Sequence, residues 1–163
     1  MKRIVLENLR SAYNVGNIIR TADALWRWVI FAGYTARADH KEVKKTALWA
    51  ELSVPNMEFN ELSDALYYMN THGLVISAEL SEKSISLTEI HLPLSRGVGG
   101  LHNKNKYLDW DLFVIVGNEV TGVEAETLEQ SDIITHIPML GIKESLNVGQ
   151  AAAIIMWELW SYI

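Results

Sequence analysis

The chain has 163 residues, the length of one domain, and 49% of them are hydrophobic against 21% charged, which is the composition of an ordinary globular protein with a real core. It contains no cysteine, which excludes disulfides, thiolate metal sites and cysteine nucleophiles. The net charge of −6 disfavours a nucleic-acid partner, but residues 1–45 hold nine of the fourteen Lys and Arg against four of the twenty acids, so a phosphate partner has a basic place to dock.

In chain order, Ile4-Val5-Leu6 reads as a short buried strand. Following Met1-Lys2-Arg3, it is too short an apolar run for a signal peptide, and no segment approaches the roughly 20 apolar residues of a membrane span. A cytoplasmic location is the expectation. Residues 14–25 read as a helix, with Ile18, Ile19, Ala22 and Leu25 at helical spacing. A strand follows at 28–31, then a short helix at 42–50 with a basic outer face carrying Lys44 and Lys45 beside Lys41. Residues 61–70 form a helix with Leu62, Ala65, Leu66 and Met69 on one side, ended by Gly73, and residues 74–78 a strand. The stretch from Pro93 to Asp109 is irregular and glycine-rich, and Arg96, Lys104 and Lys106 suit it to RNA contact if it has a role. Residues 112–116 make the cleanest buried strand, 124–130 an acidic helix, 133–137 a strand and 147–162 a long last helix. Such alternation predicts an α/β fold with a mostly parallel sheet and helices on both faces. There is no internal repeat and no linker composition, so one domain over residues 1–163 is expected, without a separate RNA-binding domain.

Three clusters carry candidate chemistry. In the first, Asn14-Val15-Gly16-Asn17-Ile18-Ile19-Arg20-Thr21-Ala22, an Arg stands on the second turn of an amphipathic helix, and Arg is costly to bury unpaired. In the second, the strand Val114-Ile115-Val116 runs straight into Gly117-Asn118-Glu119 and ends at Gly122. Open α/β sheets place ligands at strand carboxyl ends, where a glycine admits close backbone approach. In the third, residues 137–153, a strand ends in a loop and a small-residue helix follows; Ser145 is the natural N-cap, while Asn147 and Gln150 on the same segment need another explanation.

Together, in this order, the clusters resemble the three motifs of the SpoU–TrmH family of SPOUT RNA methyltransferases, over nearly the whole chain. The resemblance implies a deep C-terminal trefoil knot whose loops hold S-adenosyl-L-methionine, released after reaction as S-adenosyl-L-homocysteine. It implies a homodimer with active sites built at the interface, acting on a ribose 2′-hydroxyl of tRNA or rRNA. By the same resemblance Gly117, Ile137 and Leu146 contact the cofactor through backbone, Asn118 goes with them, Met139 and Ser145 border the site, and Ala78 with Glu79 lines the other wall. Arg20 maps to the essential motif arginine, either in the proton step or holding the developing oxyanion. Asn14, Glu119, Ser145 and Asn147 map to the other polar positions, Asn14 and Asn147 positioning Arg20 and the ribose and Glu119 fixing the second-motif loop.

No metal is expected, and the histidines at 40, 72, 91, 102 and 136 show no ligand spacing. The chain departs from the family pattern at Trp26 and Trp49, where small residues, usually glycine, are expected, and at Gly149, which replaces a small polar residue. Aromatic residues around the last helix, Trp157, Trp160 and Tyr162, point to an interface. Three other readings stay open: methylation of a base nitrogen, a non-catalytic knotted RNA-binding module, and a serine hydrolase on Ser145 and His136, although no Gly-x-Ser-x-Gly elbow surrounds that serine.

Overall fold

The central strand shows why the sheet is parallel and covered. In β1 (Lys2–Glu7) all six residues are buried, and so are the four of β2 (Val29–Ala32) and all but the first of β6 (Asp111–Val116). The apolar runs Ile4–Leu6, Val29–Ala32 and Leu112–Val116 within them are what a strand buried on both faces requires. The computed structural model describes residues 1–25, 28–90 and 111–160, and among them seven strands form one sheet in the order β3-β2-β1-β6-β4-β7-β5, every pairing parallel. The other strands are β3 (Asn56–Phe59), β4 (Gly73–Ala78), β5 (Ile85–Ser86) and β7 (Ile133–His136). Register is tight at the centre, where Ile4 stands opposite Val29 on one side and Val114 on the other.

The chain begins mid-sheet, runs outward through β2 and β3, and returns to the other side through β4, so strand order switches beside β1 and β6. At such a switch the connections leave in opposite directions and open a crevice at the carboxyl ends. Helices cover both faces. Ile4, Leu6, Phe31, Val114 and Val116 point to one face and pack on α1 (Ala12–Leu25), α2 (Lys41–Ala47) and α6 (Val148–Trp160). The alternate residues Val5, Ile30, Phe113 and Ile115 pack on α4 (Leu62–His72) and beside α5 (Ala125–Glu129). The expected α/β class, with its two helical layers, is the observed one. No helix of the described residues is long and apolar enough to cross a membrane.

Several expected boundaries shift. α1 starts two residues early because Ser11 Oγ accepts the Asn14 N–H at 3.3 Å and so caps the helix. The last helix is capped by Asn147, whose Oδ1 accepts the Gly149 N–H at 2.9 Å; Ser145, the expected cap, lies two residues upstream in an exposed loop. The predicted helix over 42–50 is two pieces, α2 and α3 (Ala50–Ser53), divided at Leu48 (φ 51°) and Trp49 (φ 79°). Two consecutive left-handed residues stop a helix, and a non-glycine residue there costs about 1 kcal/mol or more. β3 and β5 escape sequence reading because they are short edge strands with exposed or half-buried polar positions rather than apolar runs. Gly73 ends α4 as expected, but with extended backbone; its hydrogen faces Asp111 O, which a Cβ would meet at 2.0 Å. The stretch from Pro93 to Asp109, Trp26 and Tyr162 lie outside the described residues.

Candidate active site

The carboxyl ends of β1, β2 and β6 are tied by one buried amide. Asn118 Nδ2 donates to Asn8 O at 2.8 Å and to Tyr34 Oη at 2.6 Å, while its Oδ1 accepts from the Val120 and Thr121 N–H groups. Its backbone closes a tight loop with Gly122, with both bonds at 2.9 Å. Asn118 therefore shapes the loop after β6 and has no side-chain donor left for a ligand. Gly117 makes this loop possible: a Cβ there would sit 2.4 Å from the backbone of Gly122 and Val123. Glu79, at the end of β4, closes the loop from the other side by accepting the Val123 N–H at 3.0 Å.

These loops wall a cavity of about 430 Å³ that also takes in the end of β7 and the start of α6. Ala78, Glu79, Gly117, Asn118, Ile137, Met139, Ser145 and Leu146 all line it. So do His136, Val148, Ala151 and Ile155, which the sequence reading left out. The last three were legible as an i, i+3, i+7 stripe facing inward. His136 was legible as the final residue of a strand pointing at the crevice. Its Nδ1 pairs with Ser84 Oγ at 2.9 Å, not with Ser145, so the serine-hydrolase dyad is not formed. Residues 138–146 make no hydrogen bond among the described residues, and their backbone groups are open to a ligand.

At the cavity mouth the three clusters meet through side chains. Glu119 Oε1 accepts from Asn14 Nδ2 at 2.9 Å and from the Ser11 N–H at 3.0 Å, and Oε2 accepts from the Arg10 N–H at 2.8 Å. Asn14 Oδ1 in turn accepts from Asn147 Nδ2 at 3.1 Å. The carboxylate thus takes up free N–H groups at the start of α1, which favours negative charge there. Burial raises the Glu119 pKa, but the hydrogen bonds from Asn14, Arg10 and Ser11 outweigh it and hold the group below its ordinary value. A carboxylate so held is a poor base. Its contribution to stability is fully present above the ordinary value of 4.5 and is lost as pH falls through the lower folded value. Glu119→Gln is expected to cost about 1 kcal/mol at pH 7, discounted for partial exposure. In urea unfolding at pH 7 and pH 3 the gap from wild type closes in acid; an equal gap at both would refute the charge-assisted link.

Arg20 stands apart. It is exposed, no described residue bonds it, and neither Asn14 nor Asn147 positions it in this chain. Six residues along a helix turn it about 120° away from Asn14. It stands at the rim of the α1 side that packs on α2 and α3. There the Thr46 hydroxyl donates to Tyr13 O at 3.0 Å, a Cβ at Gly16 would meet Val43 O at 2.4 Å, and Ser53 Oγ donates to Asp23 at 2.8 Å.

A model of the SpoU rRNA Methylase family matches residues 1–157. The chain belongs to that family. It is 28% identical over 157 residues to the 23S rRNA (guanosine-2′-O-)-methyltransferase RlmB of Neisseria meningitidis, covering 95% of this chain and 56% of that one. It is 25% identical over 159 residues to the tRNA (guanosine(18)-2′-O)-methyltransferase of Escherichia coli, covering 95% and 61%. The chain thus spans little more than half the length of these curated relatives. Among solved structures, the AdoMet-bound rRNA methyltransferase of Sinorhizobium meliloti superposes with a TM-score of 0.80 at 22% identity, covering 96% of this chain and 54% of that one. That likeness establishes a shared fold.

Proposed function

We propose that the chain transfers the methyl group of S-adenosyl-L-methionine to a ribose 2′-hydroxyl of tRNA or rRNA, as a cytoplasmic homodimer. One observation carries the reading: in a member of this family, Asn14, Glu119 and Asn147 from three distant stretches join at the mouth of a cavity lined by Gly117, Ile137 and Leu146. The cavity's size is that of a small-molecule site. Its chemistry fits this donor: Val116, Ile137, Leu146 and Ile155 offer an apolar bed, and Glu79, Glu119 and Glu144 in the lining give it the negative charge that would suit a cation. The loop at 138–146 supplies unspent backbone donors and acceptors for a base and a ribose. The donor supplies an electrophilic methyl carbon on a positively charged sulfur.

The residues of the chain then have separable tasks. Gly117, Ile137, Met139, Ser145 and Leu146 hold the donor, with Ala78 and Glu79 on the facing wall. Glu119, Asn14 and Asn147 fix the relative positions of the three loops. The attacking 2′-oxygen gains negative charge as its proton leaves. A guanidinium, always protonated, stabilises that charge or the adjoining phosphate. Arg20 is the residue for this task, and because it faces away from its own cavity it serves the cavity of the partner chain. Ile154 and Trp157, 42% and 65% exposed on α6, supply an apolar surface for the pairing.

The test is transfer of radiolabelled methyl from S-adenosyl-L-methionine to bulk unmethylated tRNA and rRNA, followed by alkaline digestion. Label is expected in alkali-resistant dinucleotides, because a methylated 2′-oxygen cannot assist cleavage. Label in a base-modified mononucleotide would overturn the ribose assignment. Donor binding with no transfer to either RNA would overturn catalysis.

A further inference from the structure

The structure sorts the basic residues of the N-terminal third. Lys2 and Arg3 are buried, and Arg37 is spent on Gly33 O, Thr35 O, Phe59 O and Asn60. What remains outward among the described residues is Arg10 before α1, Arg20 on α1 and the lysines of α2. Lys41, Lys44 and Lys45 recur at i, i+3, i+4 and so share one helix face, on which Leu48 comes next at i+7. Lys45 pairs with Glu42 at 2.8 Å, whereas Lys41 and Lys44 make no ion pair among the described residues. This face ends at Trp49, whose φ of 79° suits glycine and whose side chain is nevertheless 77% exposed. An exposed indole fills no core, so packing does not account for a tryptophan in a glycine conformation. Strain held without structural return points to function.

The partner that fits an outward indole beside free lysines is a single strand of nucleic acid, whose bases stack on aromatics and whose phosphates meet the cations. Gly16 packs on Thr46 and Asp23 bonds Ser53, so Arg20, between them on that helix face, lies level with the turn between Thr46 and Ser53 that carries Trp49. Resting on the reading of the chain as an RNA-modifying enzyme, we propose that Trp49 is a stacking platform for an unpaired base of the RNA substrate, with Lys41 and Lys44 holding the adjoining phosphates.

The test measures affinity of the full chain for a fluorescein-labelled 12-nucleotide oligo(A) by anisotropy, with Trp49→Gly and Trp49→Phe. Glycine takes the left-handed backbone freely, so Trp49→Gly unfolds no earlier than wild type yet binds about 10-fold more weakly. Trp49→Phe keeps most of the affinity. Lys44→Glu flattens the plot of log Kd against log salt by about 0.7, the loss of one phosphate contact on a single strand. Equal affinity of Trp49→Gly and wild type, or no binding by wild type, overturns the platform. Calorimetric binding of S-adenosyl-L-methionine by the same preparations reads the enzyme assignment separately: its absence sinks that assignment, and its presence beside unchanged oligonucleotide affinity sinks the platform alone.

Discussion

Arg20→Ala is expected to lower methyl transfer by roughly 10²- to 10⁴-fold while leaving thermal unfolding and donor affinity unchanged. The exposed guanidinium has no partner among the described residues, so its removal leaves nothing buried unpaired and opens no void. It does not line the cavity of its own chain, so donor affinity in the monomer does not depend on it. The stronger form of the test uses mixed dimers. If Arg20 acts on the partner's cavity, mixing Arg20→Ala with a variant unable to bind the donor rebuilds one complete site in each mixed pair. About a quarter of wild-type activity then returns after equal mixing and exchange. If Arg20 acts within its own chain, every site in the mixture carries one defect and no activity returns. Unchanged turnover in Arg20→Ala alone would remove it from the mechanism.

Gly117→Ala is the donor-blind variant suited to that mixture, and it carries the second large effect. The added methyl would meet the backbone of Gly122 and Val123 at 2.4 Å, where no flexible side-chain tip can move aside. The loop from 117 to 123 must shift, and with it the Asn118 bonds to Asn8 and Tyr34 and the Glu79 bond to Val123. The strain costs about 1–3 kcal/mol, and donor affinity falls at least tenfold if that strain is relieved by moving the cavity wall. Gly149→Ala is the control. Its methyl would find Asn147 Oδ1 at 3.2 Å and Asn17 Cβ at 3.8 Å, contacts that small adjustments absorb. Alanine also favours the first turn of α6, by up to about 1 kcal/mol. Calorimetric titration of both variants is expected to show weak or absent binding for the first and near-normal binding for the second. Normal donor affinity in Gly117→Ala would mean that the loop after β6 is not part of the donor site.

Much of the scaffold was legible because burial leaves a direct trace. The run Leu112–Val116 reads as a covered strand, and the helical recurrence of Ile18, Ile19 and Ala22 reads as a core face. Edge strands leave no such trace, and the alternation in Asn56–Phe59 is too short to register. The site divides in the same way. Gly117 after a buried strand announces a ligand loop, but the partners of Asn118, in loops 84 and 110 residues away, follow only from topology. Asn147 and Ser145 are equally good caps by composition, and geometry chooses Asn147. Nor could composition separate the basic residues: Arg37 is bonded to Gly33, Thr35, Phe59 and Asn60 and paired with Glu58, and Arg3 is buried against Asp111, while Lys44 stays free of ion pairs among the described residues. Trp49 was visible as a departure from the family pattern; that it occupies a left-handed backbone and points outward required coordinates.

The central claim is that three stretches distant in sequence enclose a methyl donor beside an arginine from a second copy of the chain. A crystal structure of the chain with S-adenosyl-L-homocysteine tests it most directly. The ligand is expected against Gly117, Ile137 and Leu146, with the Arg20 guanidinium of the other protomer at the cavity mouth. Ligand bound elsewhere on the sheet, or a mouth with no Arg20 from either chain, would contradict it.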